Sequence, residues 1–243
     1  HRRSSAASDV YKRQIRWGRE LGAAFGNMGA YQGYAAVAYP QGQLLSWTTL
    51  EKGGILVGET GRRFGNEDLG YSGFAAHVLD QGEFAWAIYD ARIHGIAEAE
   101  EEYAEMATMG AVSWAETPAA LAAKVGLDAD GLTETIAAYN SAALTDGTDE
   151  FGRTAFALAP LQPPFAAVRV KPGLFHTQGG VLVDNEARVR RSVGGTVPNL
   201  FAGGGAAAGI SGRDGALGYA SGNGLITALV LGRRAGLTAM KEI

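Results

Sequence analysis

Phe175-His176-Thr177-Gln178-Gly179-Gly180 opens the stretch whose reading decides the fold of this chain. It continues through Pro198-Asn199-Leu200-Phe201-Ala202-Gly203-Gly204-Gly205 to Gly218-Tyr219-Ala220-Ser221-Gly222-Asn223-Gly224-Leu225, and closes at Leu231-Gly232-Arg233-Arg234-Ala235-Gly236. Leu200-Phe201-Ala202 has the makings of a short buried strand that runs into three glycines. With no Cβ, glycine lets the backbone touch a flat or bulky partner. The second glycine cluster precedes an apolar run that begins at Leu225 and reads as a helix. Its first N–H groups have no partner inside the helix and carry a partial positive charge. A glycine turn at a strand end, followed by a helix start, makes a cradle for an electron-rich ligand edge.

Working outward, composition narrows the classes. A chain of 243 residues that is 47% hydrophobic and 19% charged can build one or two globular domains. Its 36 glycines exceed the usual share of about 7%. A formal charge of -4 offers no basic field for nucleic acid. No apolar run approaches the ~20 residues of a membrane helix. The absence of cysteine excludes a disulfide or a thiol nucleophile; it leaves the compartment open, with a cytoplasmic enzyme as the expectation.

The glycine-rich stretch resembles the C-terminal cofactor-binding portion of the fumarate reductase / succinate dehydrogenase-like FAD-dependent oxidoreductases, which include the ketosteroid dehydrogenases and the tricarballylate dehydrogenase-like enzymes. Five pieces carry the resemblance in order: 176–180, Ala187-Arg188-Val189, 197–204, 219–225 and 232–236. It implies an α/β fold, a Rossmann-like FAD-binding domain with an inserted α+β capping domain. FAD is the implied cofactor, held by Gly203, Gly204, Gly205, Gly222, Asn223, Gly224 and Leu225. Gly205 stands where many relatives have a glutamate for the flavin ribityl chain, so contacts there would come from backbone. The Gly-x-Gly-x-x-Gly unit that binds the ADP half of FAD is not in the sequence, which predicts an incomplete flavin domain and an inactive fragment if the chain stands alone.

Residues 4–14, Ser-Ser-Ala-Ala-Ser-Asp-Val-Tyr-Lys-Arg-Gln, resemble the translation of a transposase adapter used in sequencing libraries. Residues 1–14 are therefore expected to be extraneous, disordered or without core contacts. The resemblance covers 15–243, with 15–32 and 176–243 expected in the flavin domain and 33–175 in the cap.

Local signals fill in the cap. Residues 28–49 mix glycine and aromatics irregularly and read as loops. Gly54-Ile55-Leu56-Val57 and Ala85-Trp86-Ala87-Ile88-Tyr89-Asp90 read as strands, and the charged run 98–105 as a solvated helix face. Thr117-Pro118 is a helix start and Gly126 its stop. Asp128 caps a second helix in which Leu132, Ile136 and Tyr139 recur at helical spacing.

Catalytic candidates follow from the resemblance. Dehydrogenation next to a carbonyl needs a hydride acceptor and a base for the second hydrogen. Fumarate reductases place an arginine donor after an Arg-Phe-x-Asn-Glu turn. Here Arg63-Phe64-Gly65-Asn66-Glu67 leads to Tyr71, which with Phe74 matches the ketosteroid dehydrogenase spacing. Tyr71 is thus the expected acid/base, unless its ring simply packs on the turn. Tyr219, and with it the backbone of Asn223, matches the ketosteroid dehydrogenase position that holds a substrate carbonyl; packing on the helix start is the other reading. His176 and Thr177 match the fumarate reductase pair that holds a carboxylate. Arg213-Asp214 either lends a charge to substrate or forms a surface ion pair. The expected partners are a small molecule bearing a carbonyl or carboxylate and an unspecified electron donor or acceptor. Reduction of an enoate in the manner of fumarate reductase is the alternative. His77 and His94 have no metal-like spacing and read as structural.

Overall fold

The computed structural model describes residues 5–145, 147–212, 214–216, 219–220 and 222–241. The chain divides into two compact units, His1–Gln32 with Phe175–Ile243, and Gly33–Leu174. In chain order the first unit starts with α1 (Ser5–Glu20), β1 (Phe25–Gly26) and the beginning of β2 (Gly29–Ala38). Adapter-like residues 5–14 lie within α1. Extending an existing helix costs little when no proline or glycine interrupts it. Packing of α1 is evident at Gly18, where a Cβ would stand 3.0 Å from both Phe25 and Val181.

β2 corrects the reading of 28–49 as loops. Ten residues, Gly-Ala-Tyr-Gln-Gly-Tyr-Ala-Ala-Val-Ala, run as a strand buried over most of its length. A strand covered on both faces lacks the two-residue alternation by which strands announce themselves.

The unit Gly33–Leu174 then builds α2 (Thr48–Glu51), β3 (Ile55–Val57), a 3-10 turn at Glu67–Leu69, α3 (Gly70–Gly73), α4 (Ala75–Asp80), β4 (Ala85–Asp90), α5 (Ala91–Ala97), α6 (Glu101–Thr108), β5 (Ser113–Ala115), α7 (Pro118–Val125) and α8 (Ala129–Leu144). β6 (Phe165–Thr177) carries the chain back to the first unit. β4 lies antiparallel between β3 and β6, with Ile55 opposite Ile88 and Ala87 opposite Val168, and β5 also pairs with β6. Leu50, Ile55, Leu56, Ile88, Tyr89 and Val168 are wholly buried in one core. Each such side chain contributes about 1.5–3 kcal/mol on burial.

Both helix starts predicted here are capped as their sequence implies. The Thr117 hydroxyl accepts from the Ala120 N–H at 3.2 Å, and the Asp128 carboxylate accepts from the Gly131 N–H at 2.6 Å. Gly126 ends α7 in the left-handed conformation, φ 80°.

In the first unit β7 (Gly180–Val181) pairs with β1, β8 (Arg188–Arg190) with β9 (Thr196–Phe201), and β10 (Asp214–Gly215) runs parallel to the first residues of β2. A 3-10 turn at Gly204–Ala206 precedes β10, and α9 (Asn223–Ala239) closes the chain. The core here is small, formed by Ala23, Val181, Val189 and Val197. α9 inverts the usual arrangement of a helix. Its buried residues are Asn223, Thr227 and Thr238, whereas Leu225, Ile226 and Leu229 are exposed.

Candidate functional site

Two sets of predicted residues fall in different units, and each is described in its own. Tyr71 lies in α3, just after the turn that Asn66 caps by accepting from the Asp68 N–H at 2.9 Å. Its half-buried ring packs on Tyr34, centroids 5.1 Å apart, and edge-on to Trp47 at 6.5 Å. Tyr34 is spoken for: its hydroxyl donates to the Leu45 carbonyl at 2.9 Å and accepts from the Trp47 N–H at 3.2 Å. Burial raises the Tyr34 pKa well above that of a free phenol.

In the sequence Arg63 and Glu67 are only landmarks of the turn. In the fold they are the centre of a buried charge network. The Arg63 guanidinium meets Glu67 at 2.5 Å and Asp149 at 2.5 Å, all three side chains almost fully covered. Arg153, equally buried, meets Glu67 at 3.2 Å and donates to the carbonyls of Leu50 at 2.7 Å and Gly54 at 2.8 Å. Glu67 also accepts from the Leu56 N–H at 3.0 Å. Both guanidinium groups stack over the Tyr139 ring, 5.1 and 5.5 Å from its centre.

The charges set one another's protonation. Burial alone would lower the Arg63 pKa, but Glu67 and Asp149 overcome it and raise it. Burial alone would raise that of Asp149; bonds from Arg63 and from the N–H groups of Arg153 and Phe151 hold it below the usual carboxylate range. Tyr139 is pushed up to about 12, mainly by burial. The network ties the Tyr71-bearing turn to β3 and to the 149–153 loop. Its signal in the sequence was an Arg and a Glu four apart, followed far downstream by Asp149-x-Phe151-x-Arg153.

The second set lies at the end of β6. The His176 ring stands edge-on to the Tyr219 ring, centroids 6.0 Å apart and planes at 79°. His176 and Thr177 are exposed and Tyr219 is half-buried. Between them and α9 lies a residue to which the sequence reading gave no role. Gln178 is 4% exposed, and its Oε1 accepts from Asn223 Nδ2 at 2.5 Å. Its Nε2 faces His176 Nδ1 at 3.4 Å. Alternation was the available clue, since residues 176 and 178 share a side of an extended chain.

Asn223, expected to offer its backbone to a ligand, is engaged otherwise. Its N–H donates to the Ala220 carbonyl at 3.2 Å, and its side chain is buried. Gly224 and Leu225 follow it in the first turn of α9, whose N–H groups have no partner within the helix. Arg213 lies outside the described residues. Its neighbour Asp214 pairs in β10 with Gly29.

The two glycine clusters differ in what they make room for. A Cβ on Gly203 would meet Leu231 at 3.1 Å, and one on Gly204 would meet Ala228 at 3.4 Å. These two therefore allow the turn after β9 to lie against α9. A Cβ on Gly222 or Gly224 would meet nothing within 4 Å. There the backbone at the helix start stands open, as the flat edge of a flavin would require, and the residues fit FAD on this count. Gly205 is exposed beside them.

His94 donates to or accepts from the Tyr103 hydroxyl at 2.7 Å and pairs with Glu98 at 3.1 Å; His77 stacks on Phe74. Among the described residues no group of three or more His, Asp or Glu side chains is placed to hold a metal. Among them, too, no helix is long and apolar enough to cross a membrane.

Comparison with known proteins gives a consistent picture. The family model described as FAD binding domain matches residues 14–220. An NADH:fumarate oxidoreductase of Klebsiella pneumoniae is 30% identical over 224 residues, which is 91% of this chain and 24% of that protein. A probable fumarate reductase of Shewanella frigidimarina is 31% identical over 227 residues, 92% of this chain and 37% of that protein. The chain thus spans between about a quarter and two fifths of the length of these curated relatives. Among solved structures, the 3-ketosteroid delta1-dehydrogenase from Sterolibacterium denitrificans superposes with a TM-score of 0.70 at 25% identity, over 94% of this chain and 46% of that one. The open conformation of a flavocytochrome c3 fumarate reductase gives 0.65 at 27%, over 93% of this chain and 39% of that one.

Proposed function

The chain belongs to the FAD binding domain family, and on that premise we propose that its protein is an FAD-dependent oxidoreductase acting on a carbon–carbon bond next to a carbonyl or carboxylate. The observation that carries this is the pairing of the His176 and Tyr219 rings, 6.0 Å apart, in the same unit as the open start of α9. An imidazole, a phenol and the Thr177 hydroxyl are the donors that an electron-rich substrate oxygen calls for. Holding that oxygen draws charge towards it and acidifies the neighbouring C–H. Tyr71 is the residue assigned to take up or return the proton, because its place after Asn66-Glu67 is similar to that of the tyrosine in ketosteroid dehydrogenases. Bound FAD supplies the hydride acceptor or donor. Gly203, Gly204, Gly205, Gly222, Asn223, Gly224 and Leu225 are the residues proposed to hold it, Gly203 and Gly204 by seating the turn on α9, Asn223 by fixing the helix start through its bond to Ala220, and the others by their open backbone.

A second reading, reduction of an unsaturated carboxylate, is favoured by the exposed His176-Thr177 pair alone. Dye reduction with a ketone substrate, set against oxidation of a reduced dye by an unsaturated acid, separates the two. In the flavin-loaded protein Tyr71→Phe is expected to keep its flavin absorbance, since the ring still packs on Tyr34 and Trp47. Turnover should fall about 10²–10⁴-fold, the usual worth of a positioned acid or base. Tyr219→Phe should raise KM as well as lower kcat. A Tyr71→Phe protein with wild-type turnover would remove Tyr71 from the reaction.

A further inference from the structure

We infer that the buried amides of Gln178 and Asn223 are positioning residues that decide which ring nitrogen of His176 carries the hydrogen, leaving Nδ1 bare and Nε2 protonated. The functional meaning of this arrangement rests on the proposed role of His176 in binding a substrate oxygen; its geometry does not. A side-chain amide can face either way, but a backbone N–H can only donate. The Ile210 N–H donates to Asn223 Oδ1 at 3.3 Å, which turns Asn223 Nδ2 towards Gln178. Nδ2 donates to Gln178 Oε1 at 2.5 Å, which in turn directs Gln178 Nε2 at His176 Nδ1, 3.4 Å away. The polarity of one backbone N–H is thus passed through two amides to the imidazole.

The Gln178 amide is held in place. The Gln178 backbone N–H donates to the Ala30 carbonyl and the Gln178 backbone carbonyl accepts from the Gly209 N–H, both at 2.8 Å. The Gly209 carbonyl accepts from Asn27 Nδ2 at 2.5 Å. A Cβ at Gly209 would lie 1.8 Å from Gln178 Oε1, so only glycine leaves room for the amide.

One contact pulls the other way. The Thr177 carbonyl lies 3.1 Å from His176 Nδ1 and would accept a hydrogen from it. That arrangement would turn an N–H against the Gln178 amide, which is buried and has His176 as its Nε2 partner. Leaving a buried donor unmet is the costlier choice, whereas Thr177 is an exposed residue at the end of β6. The amide chain therefore wins. Its consequence is that neutral His176 presents an N–H to a substrate oxygen, with no need to be charged.

The test is ¹⁵N NMR of the histidine-labelled chain at about pH 8, above the ordinary histidine pKa of about 6.5. The chain has four histidines, and the His176 signals are those lost in His176→Gln. The expected wild-type pattern is a protonated Nε2 and a bare Nδ1. Gln178→Glu keeps an acceptor for Asn223 but can offer His176 only an acceptor, so Nδ1 should become protonated. Asn223→Asp, which does not touch the ring, should draw Gln178 Nε2 to itself, turn the amide over and produce the same change. A general loosening of the site would not convert one tautomer into the other in both variants. A wild-type Nδ1–H tautomer, or an unchanged tautomer in either variant that is folded by circular dichroism, overturns the inference. If the tautomers move as expected while His176→Gln leaves KM and kcat intact, the positioning chain stands and the functional reading of His176 falls.

Discussion

Residues 33–174 bury a group of full charges, Arg63, Glu67, Asp149 and Arg153, whereas the end of β6 buries the neutral amides of Gln178 and Asn223. The first system largely closes on itself: each charge meets another charge or a backbone carbonyl, and its one link to a more exposed group is Arg153 to Asp68 at 3.7 Å. The second is an open chain that starts at a backbone N–H and ends at an exposed ring. A closed charge network holds a shape, here the turn bearing Tyr71. An open amide chain costs less to bury and passes a direction, donor or acceptor, to the surface. The two kinds of construction should answer differently to substitution.

The largest effect is expected at the centre of the closed network. Glu67→Ala leaves two buried guanidinium groups without their shared carboxylate and should cost about 3–5 kcal/mol in urea unfolding. A loss under 1 kcal/mol would mean that the network is not closed. Next comes the amide chain. Gly209→Ala places a methyl group against Gln178 Oε1, an overpacking that typically costs about 1–3 kcal/mol. It should also disturb the His176 NMR signals, which Glu67→Ala in its folded fraction should leave alone.

Acid then distinguishes charge from amide. The Asp149 carboxyl is held below its ordinary value in the folded protein, so its contribution is present above the unfolded pKa of about 3.9 and is lost as pH falls through the folded one. Urea midpoints followed from about pH 5 to pH 2 should fall, and Asp149→Asn should flatten that fall while lowering the midpoint at neutral pH. The smallest effect belongs to a surface pair. Arg62 and Glu134 meet at 2.6 Å but are more than half exposed, and Arg62→Ala should cost less than about 1 kcal/mol. Should it rival Glu67→Ala, burial would not be what separates these pairs.

Much of this was legible in local signals. The helix starts at Thr117 and Asp128, the stop at Gly126 and the strand 85–90 depend on residues within a few positions of one another, so short-range chemistry sufficed. The family was legible because five short pieces, four of them containing glycine, stand in a fixed order. β2 was not, because burial on both faces erases the alternation that marks a strand. Nor was the continuous strand β6, whose run holds Pro172 and Gly173.

By itself the sequence determined the α/β class, the family and the residue types at the two candidate sites, Tyr71 in the one and His176, Thr177 and Tyr219 in the other. Only the tertiary structure decided that Arg63 and Glu67 join Asp149 and Arg153, that Gln178 reaches Asn223, and that Leu225, Ile226 and Leu229 of α9 are exposed. The reason is range. Residues 63 and 149, or 178 and 223, are distant in the chain, and no periodicity or cap connects them. A buried charge or amide must find its partner wherever the fold brings one, and that place is fixed by packing rather than by sequence neighbours.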